Sequence, residues 1–486
     1  MWRSFRENIE AITVALLLAL LIRHFVLESY EIPTGSMAPY LHGLNAQISC
    51  PNCATKTPVG ISSDSLTNKV RMGEKYRLLE GTCNKTGTPF KIRAGGNKDF
   101  ICPSCKETRS VSTVTLRTAV ALPLQVTCRL CTFPYETLVE PADVLGGNKI
   151  LVDKFEYDLD NPDRWDVIVF RFNSQRNYIK RLVGLPGETV EIKHGDVWIN
   201  GKLEVKPPKV QAGLWIPIHD SRVEEYGLIP SAWEQTPNWT RSEGEWAFNE
   251  LEGTGEISYV RPIDNFYGYN ASYRGSPPAP IRDLKMEVQL RVSTDSSANN
   301  AAISLEIENS PSIYRWRIPI SKSSEKCTLT IDSTTENKAD ITEKEIEGLI
   351  LSQDAQTKLE IAVVDRQIRL YKDGSLVYEY ALPESEYDSG ISSPKGQPLR
   401  IRATKCGGYV ESVRIFRDLH WTKNGNYATT EEFKLDEDRY FVLGDNSPSS
   451  LDSRYWGSFS RTNLLGKGFL IFWPALPWRN ESGFIR

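Results

Sequence analysis

Residues 30–40 read YEIPTGSMAPY and follow directly on the only strongly apolar segment of the chain. At the centre is Ser36, preceded by Thr34 and Gly35. Pro33 fixes its own φ and biases Ile32 toward an extended backbone. Gly35 offers an unusual dihedral that would turn the Ser36 amide and hydroxyl toward one point. A serine hydroxyl is a weak nucleophile and needs a base beside it. Taken alone, the stretch fits a nucleophile and an ordinary turn equally well, so the decision comes from what surrounds it.

Upstream, residues 9–22 read IEAITVALLLALLI with Glu10 as the one charge. With Phe25, Val26 and Leu27 the run reaches about 19 residues, enough to cross a bilayer at about 1.5 Å per residue. Residues 8–28 are therefore expected as a transmembrane helix. Arg3 and Arg6 would hold residues 1–7 in the cytoplasm and leave the rest outside it, single-pass in the plasma membrane. A cleaved signal peptide is the competing expectation. It is disfavoured because Leu27, Glu28, Ser29 and Tyr30 follow instead of a small-x-small site.

Downstream, the chain of 486 residues is long enough for two to four domains. Its net charge of -4 gives no basic bias and argues against a nucleic-acid partner. Residues 149–154 (KILVDK), 165–172 (WDVIVFRF), 178–185 (YIKRLVGL), 189–193 and 196–199 read as short strands, with Asn200-Gly201 as a tight turn. The pattern returns at 440–443 and 468–473. Lys206, Pro207, Pro208 and Lys209 mark a boundary. Beyond them, residues 286–292, 301–307 and 358–364 are again strand-like, and 367–380 reads as a hairpin closed by Asp373-Gly374. About 210 residues of this kind suggest a β-sandwich. Its tryptophans, Trp215, Trp233, Trp239 and Trp246, are expected in its core rather than stacked on sugars.

Two places offer a partner for Ser36. Lys180 lies inside the apolar run NYIKRLVG, where lost solvation would lower its pKa. To serve as a base near neutrality it must fall by about 2–3 units from about 10.4. The second place is the polar loop from Gly444, Asp445 and Asn446 to Ser450, Asp452 and Arg454, set between apolar strands and able to orient a base. The histidines, 24, 42, 194, 219 and 420, lie in no recognisable catalytic setting.

PTGSM behind an apolar segment, YIKRLVGLPGE, and GDNxxxSxDSRYWG occur here in that order. Together they resemble the type I signal peptidases, membrane-bound Ser/Lys endopeptidases. The resemblance covers residues 1–49, 141–206 and 421–486. It implies a mainly β chain with a signal-peptidase-type catalytic fold in three parts, 29–49, 141–206 and 421–486. Interrupting it would be a cysteine-rich, zinc-ribbon-like insertion at 50–140 and a β-sandwich insertion at 207–420. It also implies roles: Ser36 as nucleophile, Lys180 as general base, the Ser36 amide and Thr34 hydroxyl as oxyanion hole. Ser450 would hydrogen-bond the lysine amine, and Asp445, Asp452 and Arg454 would support the loop. Ile32, Tyr178 and Ile179 would wall pockets for small side chains. The implied reaction is removal of N-terminal signal peptides from exported preproteins, after small residues at -3 and -1, with no catalytic cofactor. The implied partners are preproteins, membrane lipid and the export machinery. A self-cleaving Ser/Lys protease and a non-catalytic binding protein are the alternatives.

Nine cysteines remain, at 50, 53, 83, 102, 105, 128, 131, 327 and 406. Six form three C-x-x-C pairs that resemble zinc-ribbon knuckles, two of which can close a tetrahedral site. Cys50, Cys53, Cys128 and Cys131 flank the insertion and are the expected ligands of one structural zinc. Disulfides are the competing state outside the cytoplasm. Cys327 and Cys406 are expected to pair within the sandwich.

Overall fold

Alternating apolar residues at 149–153, 167–173, 176–184, 439–443 and 464–473 become the strands of one antiparallel sheet. The computed structural model describes residues 2–21, 26–62, 64, 67–68, 75–95, 97–173, 176–223, 225–270, 279–293, 300–309, 312–320, 326–335, 338–383, 398–474 and 483–485. In spatial order the sheet runs Leu27–Glu31, Lys149–Asp153, Leu464–Trp473, Val167–Asn173, Arg176–Gly184, Arg439–Leu443 and Phe459–Ser460. Gly483–Phe484 pairs beside Leu464–Trp473. Successive side chains point to opposite faces. Val167 and Val169 pack with Ile32, Met37, Leu41, Ile150 and Val152 on one side. Ile168 and Phe170 pack with Leu182, Tyr440, Val442 and Phe459 on the other. Three distant stretches of chain thus share one sheet, and the loops between its strands carry Ser36 and residues 444–457.

The Asn200-Gly201 turn joins Asp196–Ile199 to Lys202–Leu203 with φ of 51° and 76°, the twin left-handed pair of a type I′ hairpin. Asp373-Gly374 does the same between Gln367–Lys372 and Ser375–Ala381, with φ of 49° and 82°. That hairpin belongs to an eight-stranded antiparallel sheet centred on Leu284–Ser293 and Gly407–Arg417. A seven-stranded sheet centred on Leu399–Thr404 and Ala302–Asn309 lies opposite it. Val288, Leu305, Trp316, Ile361 and Ile401 share one core between the two. Trp233, Trp239 and Trp246 are buried in that core, and Trp215 is half-buried beside Lys285.

Three sequence expectations are corrected here. Among the described residues no helix is long and apolar enough to cross a membrane. The N-terminal helix is Trp2–Leu21, its first half broken by Arg3, Arg6, Glu7 and Glu10. Residues 22–25 of the expected 8–28 span lie outside the described residues, and Leu27–Glu31 is already strand because it completes the sheet edge on Lys149–Asp153. Cys327 and Cys406 are both free and buried; Cys406 Sγ lies 3.7 Å from the Ala302 carbonyl instead of on a partner sulfur. Gly35 does not have a positive φ. Its requirement is space: a Cβ there would lie 2.2 Å from Cε1 of Tyr269.

Candidate active site

The loop carrying Ser36 is closed by its neighbours before any catalytic group enters. Asn148 accepts the Ile32 N–H at 2.9 Å, donates its own N–H to the His42 carbonyl at 2.8 Å, and takes the His42 N–H on its side chain at 2.5 Å. Both ends of the loop are therefore tied to one residue, and Met37 and Leu41 bury its underside. At its centre Ser36 is buried, and its N–H has no acceptor among the described residues.

Lys180 stands in Arg176–Gly184 opposite Ile168, on the face that carries Tyr178 and Leu182. Its side chain is 4% exposed. Nζ lies 2.7 Å from Ser36 Oγ and 3.0 Å from the Ile179 carbonyl. Burial pulls the ammonium down to about 8, against the opposing pull of Asp452 and Asp445. A neutral amine within hydrogen-bond reach of a hydroxyl is the pairing a serine nucleophile requires.

The loop 444–457 holds that pairing in place through two buried ion pairs. Arg181, next to Lys180, grips Asp445 with two bonds of 2.9 and 2.7 Å, and both side chains are sealed from solvent. Arg454 grips Asp452 with two bonds of 2.8 Å and reaches Ser447 Oγ at 2.6 Å. Asp452 in turn accepts the Gly444 N–H at 2.9 Å. With its charges paired, one within the loop and one to Arg181, the loop presents Asn446 to the nucleophile. The Asn446 N–H donates to the Ser36 carbonyl at 3.0 Å, and its Nδ2 to the Gly35 carbonyl at 2.8 Å.

Sequence reasoning missed the other half of this clamp. Asn270 and Asn446 exchange reciprocal amide bonds of 2.9 Å each. Three residues earlier, Tyr267 donates its hydroxyl to the Ala38 carbonyl. Tyr269 lies over Gly35, accepts the Gly43 N–H at 3.1 Å and stacks on His42. These residues come from the stretch 207–420, and no local motif marks them. Asn270→Ala should lower kcat about 10–100-fold, as expected when a reacting group loses its fixed position. The unfolding midpoint should barely move. Steady-state kinetics beside a thermal melt checks both.

The remaining expected site residues divide. Thr34 is exposed on the open side of the loop. Ile32 and Ile179 pack into one cluster. Tyr178 packs across the sheet against Phe170 and Phe172. Ser450 lies beside Gly444, where its Oγ is buried with no hydrogen-bond partner among the described residues, so the expected bond to the Lys180 amine is not made. The two bonds of Lys180 Nζ go to Ser36 and the Ile179 carbonyl. Burial drives His42 and His420 down to about 4, and His219 to about 3, and none of them bonds Ser36.

Away from the sheet, Cys50, Cys53, Cys128 and Cys131 come together, with all four thiol sulfurs within 4.8 Å of one another. Cys50 lies 3.5 Å from Cys131, and Cys53 lies 3.7 Å from Cys128. Zinc–sulfur bonds of about 2.3 Å in a tetrahedron put sulfurs about 3.8 Å apart. The cluster could hold a structural metal ion of that size.

Residues 112–212 and 363–473 match the family described as "Signal peptidase, peptidase S26". The matched residues include Lys180 and residues 444–457, and Ser36 precedes them. Signal peptidase I of Bacillus caldolyticus is 39% identical over 62 residues, 13% of this chain and 34% of that protein. Signal peptidase I of Leptolyngbya laminosa is 32% identical over 123 residues, 20% of this chain and 60% of that protein. The chain thus spans about a third to six tenths of the length of these relatives. A carbohydrate-binding module from Bacillus subtilis aligns with 39% of this chain and 93% of its own at 12% identity and a TM-score of 0.24, a likeness that carries no argument. The ordered motifs, the Ser36–Lys180 contact and the matches at 112–212 and 363–473 together make the chain similar to the type I signal peptidases of family S26.

Proposed function

We propose that the chain is a signal peptidase I that removes N-terminal signal peptides from exported preproteins. The observation that carries this reading is the buried Lys180 Nζ, 2.7 Å from Ser36 Oγ. Neutral Lys180 takes the Ser36 proton as Oγ attacks the scissile carbonyl. The Ser36 N–H and the Thr34 hydroxyl receive the developing oxyanion, an effect worth about 3–4 kcal/mol per donor in other hydrolases. Protonated Lys180 then protonates the leaving amine. Asp445, Asp452 and Arg454 act through the loop that fixes Asn446. Ile32, Ile179 and Tyr178 accept the small residues at -3 and -1.

The remaining parts follow from the same reading. The N-terminal apolar segment anchors the chain, with the N-terminus cytoplasmic and the catalytic domain outside. Support comes from the helix Trp2–Leu21, whose Ile12, Val14, Leu16, Leu17 and Leu18 are all more than half exposed and suit lipid. Membrane lipid and the export machinery are the partners. The cysteine-rich region 50–140 and the β-sandwich 207–420 are insertions into a catalytic domain made of 29–49, 141–206 and 421–486. Cys50, Cys53, Cys128 and Cys131 hold one structural zinc.

Because the working form of Lys180 is the neutral amine, kcat/KM for a preprotein should rise with pH through an inflection near 8 and level off above it. A pH–rate profile on a preprotein with alanine at -3 and -1 tests this. A flat profile, or one falling as pH passes 8, would overturn the assignment of Lys180 as base.

A further inference from the structure

Four loops of the cysteine-rich region share one backbone design. In each, the first cysteine donates its N–H to the carbonyl five residues on, and its carbonyl accepts the N–H four residues on. The pairs are Cys50 with Thr55 and Ala54, Cys83 with Thr88 and Gly87, Cys102 with Glu107 and Lys106, and Cys128 with Phe133 and Thr132, all at 2.9–3.0 Å. The fifth residue of each loop is left-handed, with φ of 56° at Ala54, 67° at Gly87, 59° at Lys106 and 57° at Thr132. Each loop joins the two strands of an antiparallel hairpin: Asn45–Ser49 to Lys56–Gly60, Lys75–Thr82 to Pro89–Arg93, Asp99–Ile101 to Thr108–Ser110, and Leu122–Thr127 to Pro134–Val139.

The Cys83 loop is therefore built as a metal knuckle although it is not C-x-x-C. Thr86 stands where the other three carry their second cysteine. The outer two knuckles bring together the four thiols described above. The inner two bring Cys83, Cys102 and Cys105 together, with the three sulfurs within 4.8 Å of one another. Cys83 and Cys102 are fully buried. The loop tips are tied across the cluster by Lys85 and Glu107 at 2.6 Å, and Arg109 of the third hairpin reaches the Thr82 carbonyl at 2.9 Å and Asn84 Oδ1 at 3.3 Å. The Thr86 hydroxyl is engaged with Thr88.

We propose that Cys83, Cys102 and Cys105 form a second metal site, nested inside the first, that takes one thiophilic divalent ion such as Zn²⁺ through three thiolates. Its fourth ligand is an exchangeable oxygen, because Thr86 replaces the fourth thiol. On binding, the three thiols release their protons to solvent and three sulfur–metal bonds form, with no redox change. Three thiolates on a dication leave a net charge of -1; Glu107, 3.7 Å from Cys105 Sγ, is offset by Lys85, and Arg109 lies beside the site to balance the rest. A three-thiolate site with an open position should exchange its ion faster than the four-thiolate site. This inference stands on the knuckle geometry and is independent of the protease reading.

The test is native mass spectrometry of the full chain in detergent, loaded with Zn²⁺ and then challenged with a chelator. The wild type should hold two ions and release one at least about tenfold faster than the other, because it has one fewer thiolate. Cys102→Ser should hold one ion and keep the slow one. Cys50→Ser should lose the slow one and keep the fast one, so failure of the outer site is distinguishable from failure of the inner. Thr86→Cys restores the fourth thiol and should make the fast ion slow without touching the first site. One ion in the wild type that survives Cys102→Ser would overturn the proposal. So would a disulfide among Cys83, Cys102 and Cys105 in the intact protein, or a Thr86→Cys variant whose release kinetics match the wild type.

Discussion

Lys180→Met should lower kcat/KM for preprotein cleavage by roughly a thousandfold to ten-thousandfold, the upper range of what a positioned base supplies. Methionine fills nearly the same apolar volume, so the strand Arg176–Gly184 should keep its packing. What disappears is the amine 2.7 Å from Ser36 Oγ. Lys180→Arg should fail almost as badly, because a guanidinium stays charged at working pH and cannot take a proton. Rates on one preprotein, with circular dichroism to confirm the fold, check both. Activity within tenfold of wild type in either variant would remove Lys180 from the chemistry.

Lys206→Met should destabilise folding by about 3–5 kcal/mol, the cost of breaking a buried ion pair from one side. Lys206 is 1% exposed, bonds Asp365 and lies 2.9 Å from Asp418. Asp283 and Asp196 complete the same carboxylate cluster. Without the ammonium these carboxyls face one another in a dry interior. Burial already holds Asp283 and Asp365 above the usual carboxylate range. A carboxyl whose folded pKa is raised contributes stability at low pH and loses it as pH rises through that folded value. The defect should therefore be largest at neutral pH and shrink on acidification. Guanidinium unfolding followed by tryptophan fluorescence at pH 7 and pH 5 measures the midpoint shift and its sign.

Residues whose chemistry is local were legible in the sequence. Ser36, Lys180, Asp445, Asp452 and Arg454 each sit in a short motif, and the structure brings all five to one end of one sheet. Strand positions were legible for the same reason: a two-residue period needs only its neighbours. Contacts from elsewhere in the chain were not. Asn270 reaches Asn446 across 176 positions, and nothing in NFYGYN marks it as the brace of a nucleophile loop. The sequence suggests a dihedral requirement at Gly35, whereas the constraint is the Tyr269 ring above it. The Ser450 motif points to a bond with the Lys180 amine, whereas the structure leaves Ser450 Oγ buried and without a partner among the described residues. Cys83 lacks the second cysteine that marks a C-x-x-C knuckle in sequence, while the backbone hydrogen bonds of the knuckle need only one. Lys206 read as part of a boundary between domains, yet it is buried at the junction.

The most direct measurement is cleavage of a preprotein by the detergent-solubilised full chain, with Ser36→Ala alongside and the products mapped by mass spectrometry. The wild type should cut once, after the small residue at -1, and Ser36→Ala should leave the preprotein intact. Cleavage at the same bond by Ser36→Ala, or no cleavage by a folded wild type, would contradict the account.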